Sequence, residues 1–120
     1  MKKVIAILVL ILGISFNAKA QDVKTVALEQ TKGEFTQKQI TLSEGTYIFE
    51  VANNNVGTDV GFVLHPKGKK GQENHIKEAY VTALVKNNTK QTSKKVTLKK
   101  GKYTYFCPLN KTPEYTLVVK

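Results

Sequence analysis

Apolar and polar residues alternate along most of the chain with the period of two that is typical of β-strands. The clearest case follows a turn at 43–45, where Tyr47, Phe49 and Val51 fall on one face of a strand that ends at Asn53. The same reasoning predicts further strands around 26–28, 35–42, 60–64, 103–106 and 116–119. The run at 60–64 is almost wholly apolar, as in a strand that is buried on both faces, and His65 and Pro66 should end it. The pattern predicts an all-β fold.

One segment departs from this pattern. Apolar side chains recur there at the spacing of a helix face, namely Ile76, Ala79, Tyr80, Ala83 and Leu84. Asn74 is a suitable N-cap, so we expect a short amphipathic helix of about three turns within 74–86, packed on the sheet. Residues 80–82 fit a strand equally well, and that alternative stays open.

A nine-residue pattern occurs twice in the chain. Residues 41–49 and 97–105 share the order Thr-Leu, two polar residues, Gly, one residue, Tyr, one residue and an aromatic residue. Each copy predicts a strand end, a turn that contains glycine, and a strand with alternating aromatic side chains. Two such units far apart in a small β-protein favour a Greek-key sandwich, in which equivalent hairpins occupy opposite places.

The first twenty residues have the features of a secretory signal peptide. Lys2 and Lys3 precede an apolar run at 4–16, and Ala18-Lys19-Ala20 is a small-x-small cleavage site before Gln21. Crossing a bilayer as a helix takes about 20 apolar residues, so this run is too short for a membrane anchor. We therefore expect a periplasmic or secreted protein whose mature part, residues 21–120, is one domain without a membrane span.

The chain is basic, with 19 basic residues against 9 acidic ones. Without Lys2, Lys3 and Lys19 the mature part keeps 16 basic residues and a net charge of +7. All of them are lysine, which argues against specific nucleic-acid recognition, because arginine supplies the fork that reads phosphates and guanine edges. The lysines form two clusters, Lys67, Lys69 and Lys70 in one loop and Lys94, Lys95, Lys99, Lys100 and Lys102 around another turn. They indicate either a solvated face or a docking face for an acidic protein or surface.

Cys107 is the only cysteine, and it stands where the aromatic strand opens into a loop bounded by Pro108. A single cysteine cannot form an internal disulfide in an oxidising compartment. Cys107 is therefore a buried inert thiol, an intermolecular link or a metal ligand. The chain has no second cysteine for thiol redox chemistry and no glycine-rich phosphate loop, so we do not expect an enzyme.

The order of these motifs resembles that of the cupredoxins, the family of plastocyanin, azurin and amicyanin. The chain has Gly-x-Tyr-x-Phe-x-Val-x-Asn at 45–53, a buried strand at 60–64, Gly-x-Tyr-x-Tyr-Phe-Cys-Pro at 101–108 and Thr-Leu-Val-Val at 116–119. The resemblance spans residues 40–120, and 67–92 is its least similar part. It implies a Greek-key β-sandwich of the cupredoxin type.

The resemblance also implies where copper ligands would stand. A type 1 copper site combines a thiolate, two imidazoles and a weak axial thioether. By the family pattern Cys107 matches the cysteine, Val60 lies where the first histidine is expected, and Asn110 matches the second. The axial methionine has no counterpart, because the only methionine is Met1. We therefore expect no standard type 1 site and no bound cofactor, and copper remains an alternative.

His65 and His75 are the only two histidines, and with Cys107 they make up the candidate metal ligands. His65 is five residues along the strand from Val60, which corresponds to roughly 16 Å and to the opposite face. We expect it to lie at the far end of the sandwich from Cys107. His75 follows a ten-residue excursion that is able to fold back.

Two functional hypotheses follow from the sequence. The first is an exported, non-enzymatic cupredoxin-fold module that lacks a type 1 site and acts in binding or as an accessory protein. The second is a periplasmic copper-binding protein that uses an altered site around Cys107 for electron transfer or copper delivery.

Overall fold

The structure is a computed structural model that describes residues 22–120. This part of the chain contains nine strands. The signal peptide expected at 1–20 lies outside these residues. The strands are β1 (Val23–Thr31), β2 (Glu34–Phe35), β3 (Gln39–Leu42), β4 (Gly45–Asn53), β5 (Val63–Pro66), β6 (Lys90–Thr92), β7 (Val96–Leu98), β8 (Gly101–Phe106) and β9 (Tyr115–Val119). Between residues 22 and 120 there is no helix with the length and apolar character needed to cross a membrane.

The strands form two sheets. The first has the order β2-β1-β4-β6, and β7 also pairs with β4. The second has the order β3-β9-β8-β5. Two pairings are parallel, β1 with β4 and β3 with β9, and the others are antiparallel. The mixture of parallel and antiparallel neighbours follows from strands that cross between the sheets, and it confirms the predicted β-sandwich.

The core lies between the inner faces of the two sheets. The alternation seen in the sequence places Tyr47, Phe49 and Val51 of β4 in it, as expected. Phe35 packs edge-on against Tyr105 of the second sheet, with ring centroids 5.2 Å apart. The run at 60–64 is buried throughout, although its regular strand covers only Val63–Pro66. Pro66 is tolerated within β5 because β5 is an edge strand, where a missing N–H costs no ladder bond.

The two copies of the repeated pattern adopt the same local structure. In each copy the chain leaves one sheet and enters the other, from β3 to β4 and from β7 to β8. In each copy the tyrosine hydroxyl donates a 2.7 Å hydrogen bond to the carbonyl four residues earlier, Tyr47 to Ser43 and Tyr103 to Lys99. The copies are thus arches between the sheets, in opposite directions, and not the equivalent hairpins that the repeat predicted.

The expected helix of three turns within 74–86 is also wrong. The segment contains two single turns of 3-10 helix, Gln72–Asn74 and Lys77–Ala79, and Asn74 caps neither. The chain then forms isolated β-bridges from Val81 to Ser93 and from Val85 to Val60. A helix through this segment would break both bridges, so tertiary pairing overrides the local helical periodicity.

Candidate functional site

Cys107 is the natural starting point for a site, because it is the sulfur ligand of the family pattern. It directly follows β8, whose side chains alternate between the core and the outer face of the second sheet. Tyr105 and Cys107 belong to the core, and Cys107 has no exposed surface. Its Sγ accepts the backbone N–H groups of Gly61 at 3.3 Å and of Asn110 at 3.4 Å. The thiol is buried and held by the backbone on two sides.

The loop after Cys107 is closed by its own hydrogen bonds. The Cys107 N–H donates to Thr112 Oγ1 at 2.9 Å, and the Thr112 N–H donates to the Cys107 carbonyl at 3.1 Å. Lys111 adopts φ 53°, a left-handed conformation that reverses the chain. This tight loop turns the side chain of Asn110 inward, where only 8% of the residue is exposed.

The Asn110 amide is almost fully satisfied by the protein. Its Nδ2 donates to Gln30 Oε1 at 3.1 Å and to the Thr31 carbonyl at 2.8 Å, and its Oδ1 accepts the Gly33 N–H at 2.8 Å. An asparagine side chain makes at most four such bonds, so one lone pair remains. These hydrogen bonds tie the Asn110 side chain to the end of β1 and to the turn that follows it.

Gln30 closes this arrangement into a cycle. It is completely buried, and its Nε2 donates to the Gly61 carbonyl at 2.8 Å. Gly61 donates in turn to Cys107, Asn110 donates to Cys107 through its backbone, and Asn110 donates to Gln30 through its side chain. We call these four residues, Gln30, Gly61, Cys107 and Asn110, the Gln30–Asn110 network. Buried polar groups that satisfy one another in this way hold the surrounding elements rigidly.

The donor set at this position does not fit a type 1 copper ion. Val60 is buried and offers only an aliphatic side chain, and its backbone pairs with Val85 at 3.0 and 2.9 Å. Asn110 offers an amide whose donors and acceptor are already engaged. Copper of this type needs two imidazoles beside the thiolate, and neither of these positions supplies one. Across residues 22–120, no three His, Cys, Asp or Glu side chains come close enough to hold a metal ion together.

The two histidines lie together on the other side of the second sheet. His65 in β5 pairs with Thr104 of β8, so it shares the outer face with Thr104 and Phe106, opposite Tyr105 and Cys107. The excursion after Pro66 does fold back, and it brings His75 over His65 with the rings 6.0 Å apart and nearly parallel, at 16°. The structure therefore joins His65 with His75, and it separates both from Cys107 by the thickness of the sheet.

The electrostatics of His75 follow from this position. Burial, together with the neighbouring His65, lowers the pKa of His75 below its usual value, and Glu73 partly opposes the shift. The lowered pKa favours the neutral form of the ring.

Sequence reasoning missed two members of these clusters, Gln30 and Tyr80, whose hydroxyl lies 2.8 Å from His75 Nδ1. Gln30 had a detectable signal, because it follows Val26 and Leu28 on the inward face of β1, where an apolar residue is expected. When a polar residue falls on the predicted inward face of a strand, either the predicted register is wrong or the residue belongs to a buried hydrogen-bond network.

The chain belongs to the family of cupredoxin-like domains, whose model matches residues 4–119. This agrees with the two-sheet architecture and with the place of Cys107 at the end of β8. A comparison with curated protein sequences finds no match.

Solved blue copper proteins share the fold. Auracyanin A, a "blue" copper protein from the green thermophilic photosynthetic bacterium Chloroflexus aurantiacus, is 18% identical over 82% of this chain and 100% of its own, with a TM-score of 0.65. Auracyanin B is 19% identical over 81% of this chain and 88% of its own, with a TM-score of 0.64. An azurin from the obligate methylotroph Methylomonas sp. strain J is 17% identical over 80% and 97%, with a TM-score of 0.52. At these identities the likeness concerns the fold.

Proposed function

We propose that this protein is an exported, non-enzymatic cupredoxin-fold module that acts in binding or as an accessory protein, without type 1 electron transfer. The observation that carries the proposal is the Gln30–Asn110 network. It fills with amide hydrogen bonds the position at which the family pattern calls for a second imidazole. A protein that exchanged electrons through Cys107 would need donors that Val60 and Asn110 lack.

Copper loading of the domain 21–120 tests this proposal. With Cu²⁺ added, we expect no intense visible band of the kind that a short bond between copper and thiolate gives. A strongly coloured protein, whose colour disappears in Cys107→Ser, would contradict the proposal and support an altered copper site around Cys107. The readout is the absorption spectrum, so weak copper binding elsewhere on the chain does not affect the result.

The proposed binding surface is formed by lysines at one end of the second sheet. The Lys67 N–H donates to the Lys102 carbonyl at 3.0 Å, so the two lysine clusters of the sequence adjoin there. The lysine surface consists of Lys67, Lys69, Lys70, Lys99, Lys100 and Lys102, which are all exposed. Among the described residues only the Lys70 ammonium group of this set forms an ion pair, with Glu114 at 3.6 Å, and the Glu44 carboxylate accepts the backbone N–H of Lys100 at 2.8 Å. Such a concentration of one charge attracts an acidic protein partner.

Poly-L-glutamate is a suitable probe for this surface. We expect the domain to bind it with an affinity that falls as salt is added, because exposed charges are screened. Lys99→Gln with Lys102→Gln should weaken this binding more than Lys86→Gln with Lys90→Gln, a control pair of exposed lysines that removes the same charge elsewhere. An equal loss for both pairs would show that net charge alone attracts the probe, and would overturn the assignment of a docking face.

A further inference from the structure

The outer face of the second sheet carries an apolar depression at the end where the lysine surface lies. Val118 of β9 is half-buried and points to this face, because its neighbours Leu117 and Val119 belong to the core. It pairs with Lys102 of β8, so these two side chains stand side by side. The depression has a volume of about 440 Å³, and its lining consists of Lys100, Gly101, Lys102, Val118, Val119 and Lys120. We call it the Val118 depression.

The rim of the depression is positively charged. Lys100, Lys102 and Lys120 are all exposed, and within residues 22–120 none of the three ammonium groups forms an ion pair with a carboxylate. Glu44 approaches this group, and its carboxylate accepts the backbone N–H of Lys100 at 2.8 Å. Because the lysines outnumber this acidic side chain, the rim attracts negative charge.

An apolar centre inside a charged rim is the arrangement of a protein–protein interface. There, a large side chain of one partner fills a pocket near the centre, and the groups around it exclude water. Ligand pockets have volumes of about 300–1,000 Å³, so the Val118 depression, at about 440 Å³, has room for one aromatic or aliphatic side chain. The rim charges select an oppositely charged partner and fix its orientation.

The shape of the depression favours a peptide over a lipid surface. Proteins that lie on a membrane bury an apolar face in the boundary between head groups and acyl chains, which requires apolar side chains that protrude. Val118 is half-buried and lies in a depression. It is therefore placed to receive a side chain and not to enter a bilayer.

We propose that the Val118 depression is the anchor point of the lysine surface and takes one large apolar side chain from an acidic segment of a partner protein. Carboxylates on either side of that apolar residue pair with Lys100, Lys102 and Lys120. This inference rests on the proposed function, because it concerns the same surface. It adds the chemistry of the segment that binds there, an aromatic or aliphatic residue flanked by Asp or Glu.

Two synthetic peptides of equal charge test the proposal on the mature protein, residues 21–120. One is a glutamate peptide with phenylalanine at its centre, and the other has serine in that place. The phenylalanine peptide should bind at least about tenfold more tightly in a calorimetric titration, because burial of an aromatic side chain contributes that much to affinity. Lys100→Gln with Lys120→Gln should weaken the binding of both peptides alike, since the rim acts on their carboxylates.

Variants of apolar residues locate the anchor. Val118→Thr keeps the branched shape and adds a hydroxyl, so the preference for phenylalanine should fall below about threefold while the affinity for the serine peptide stays unchanged. Ile48→Thr is the matched control, because Ile48 is also half-buried but lies on the outer face of the first sheet, between the buried Tyr47 and Phe49. It should keep the preference of the parent protein.

The possible failures are distinguishable. Equal affinity of the parent protein for the two peptides, with binding that weakens as salt is added, would overturn the anchor and leave the proposed binding of an acidic partner standing. Absence of binding for both peptides would overturn the anchor and the proposed function together. Vesicles of phosphatidylcholine and phosphatidylglycerol in equal parts are the third probe. Vesicle binding that Val118→Thr weakens, without any preference between the peptides, would show that this surface docks on a membrane and would overturn the proposal.

Discussion

At the scale of single residues, Val60 and Asn110 stand at the two positions where the family pattern places the imidazoles of a type 1 copper site. Asn110 and Gln30 are both amides, and a pair of amides can satisfy each other because each has donors and an acceptor. Val60 adds only apolar bulk beside Gly61. The thiol of Cys107 keeps its backbone partners, so the scaffold of the site persists while its ligands are replaced by a structural network.

Loss of the Gln30–Asn110 network should lower the free energy of unfolding by a measurable amount. Asn110→Ala leaves the buried Gln30 Oε1 without its donor, and an unsatisfied buried group costs about 1–3 kcal/mol. We therefore expect the free energy of unfolding in urea to fall by that amount. Asn54→Ala is the control, because the Asn54 amide donates to Glu29 on the exposed surface and its loss should stay within about 0.5 kcal/mol. Equal effects for the two variants would show that the network contributes nothing to stability.

At the scale of elements, the two arches are two of the connections that carry the chain from one sheet to the other, β3 to β4 and β7 to β8. Each is fixed by a tyrosine that bonds back to the start of its own turn. The same device, a tyrosine hydroxyl bonded to the backbone a few residues upstream, stabilises corners of other β-sandwiches. Repetition in sequence is thus matched by repetition in structure.

Removal of the two hydroxyls tests this role. Tyr47→Phe and Tyr103→Phe should each lower the free energy of unfolding by about 0.5–1.5 kcal/mol, the net value of a typical hydrogen bond. Phenylalanine keeps the ring and its packing, so the difference reports the hydroxyl. Tyr47 is the more buried of the two and should show the larger loss. Urea unfolding that is unchanged in both variants would mean that the arches are held by packing alone.

The elements also show which parts of the fold are predictable from sequence. Strands such as β4 are predictable because one face is buried and the alternation is regular. The segment at 74–86 is not, because its apolar residues obey a helical period while its backbone is recruited by Ser93 and Val60 from distant parts of the chain. The local sequence pattern does not predict β-pairings between residues that are far apart in the chain.

The same distinction applies to the candidate site. The position of Cys107 and the missing ligands follow from motif order, since the loop after β8 is local. The hydrogen bond from Asn110 to Gln30 joins residues that are 80 positions apart. It forms only because the fold places the end of β1 beside the loop that follows β8. The pairing of His65 with His75 likewise depends on the path of the excursion, and the metal ligation predicted for Cys107, His65 and His75 stays a prediction.

At the scale of the whole molecule, one sandwich presents three distinct regions. The thiol and its amide network are inside, the histidine pair is on the outer face of the second sheet, and the lysine surface is at one end of that sheet. The fold is that of cupredoxin-like domains, and the Gln30–Asn110 network surrounds Cys107 in the interior. By the family pattern, Val60 and Asn110 stand at the positions of the two imidazoles, and the axial methionine has no counterpart.

Restoring the two imidazoles is the most direct test of whether these two side chains account for the missing type 1 site. In the domain 21–120 carrying Val60→His and Asn110→His, two imidazoles should stand beside Cys107, and three such ligands are enough for strong copper binding even with a weak or absent axial ligand. The double variant should be less stable than the parent, by about 1–3 kcal/mol for the change at Val60 alone. With Cu²⁺ it should show an intense thiolate-to-copper absorption band that the parent and both single variants lack. A folded double variant without this band would contradict the placement of Val60 and Asn110 around Cys107, and with it the claim that these two residues replace the imidazole ligands.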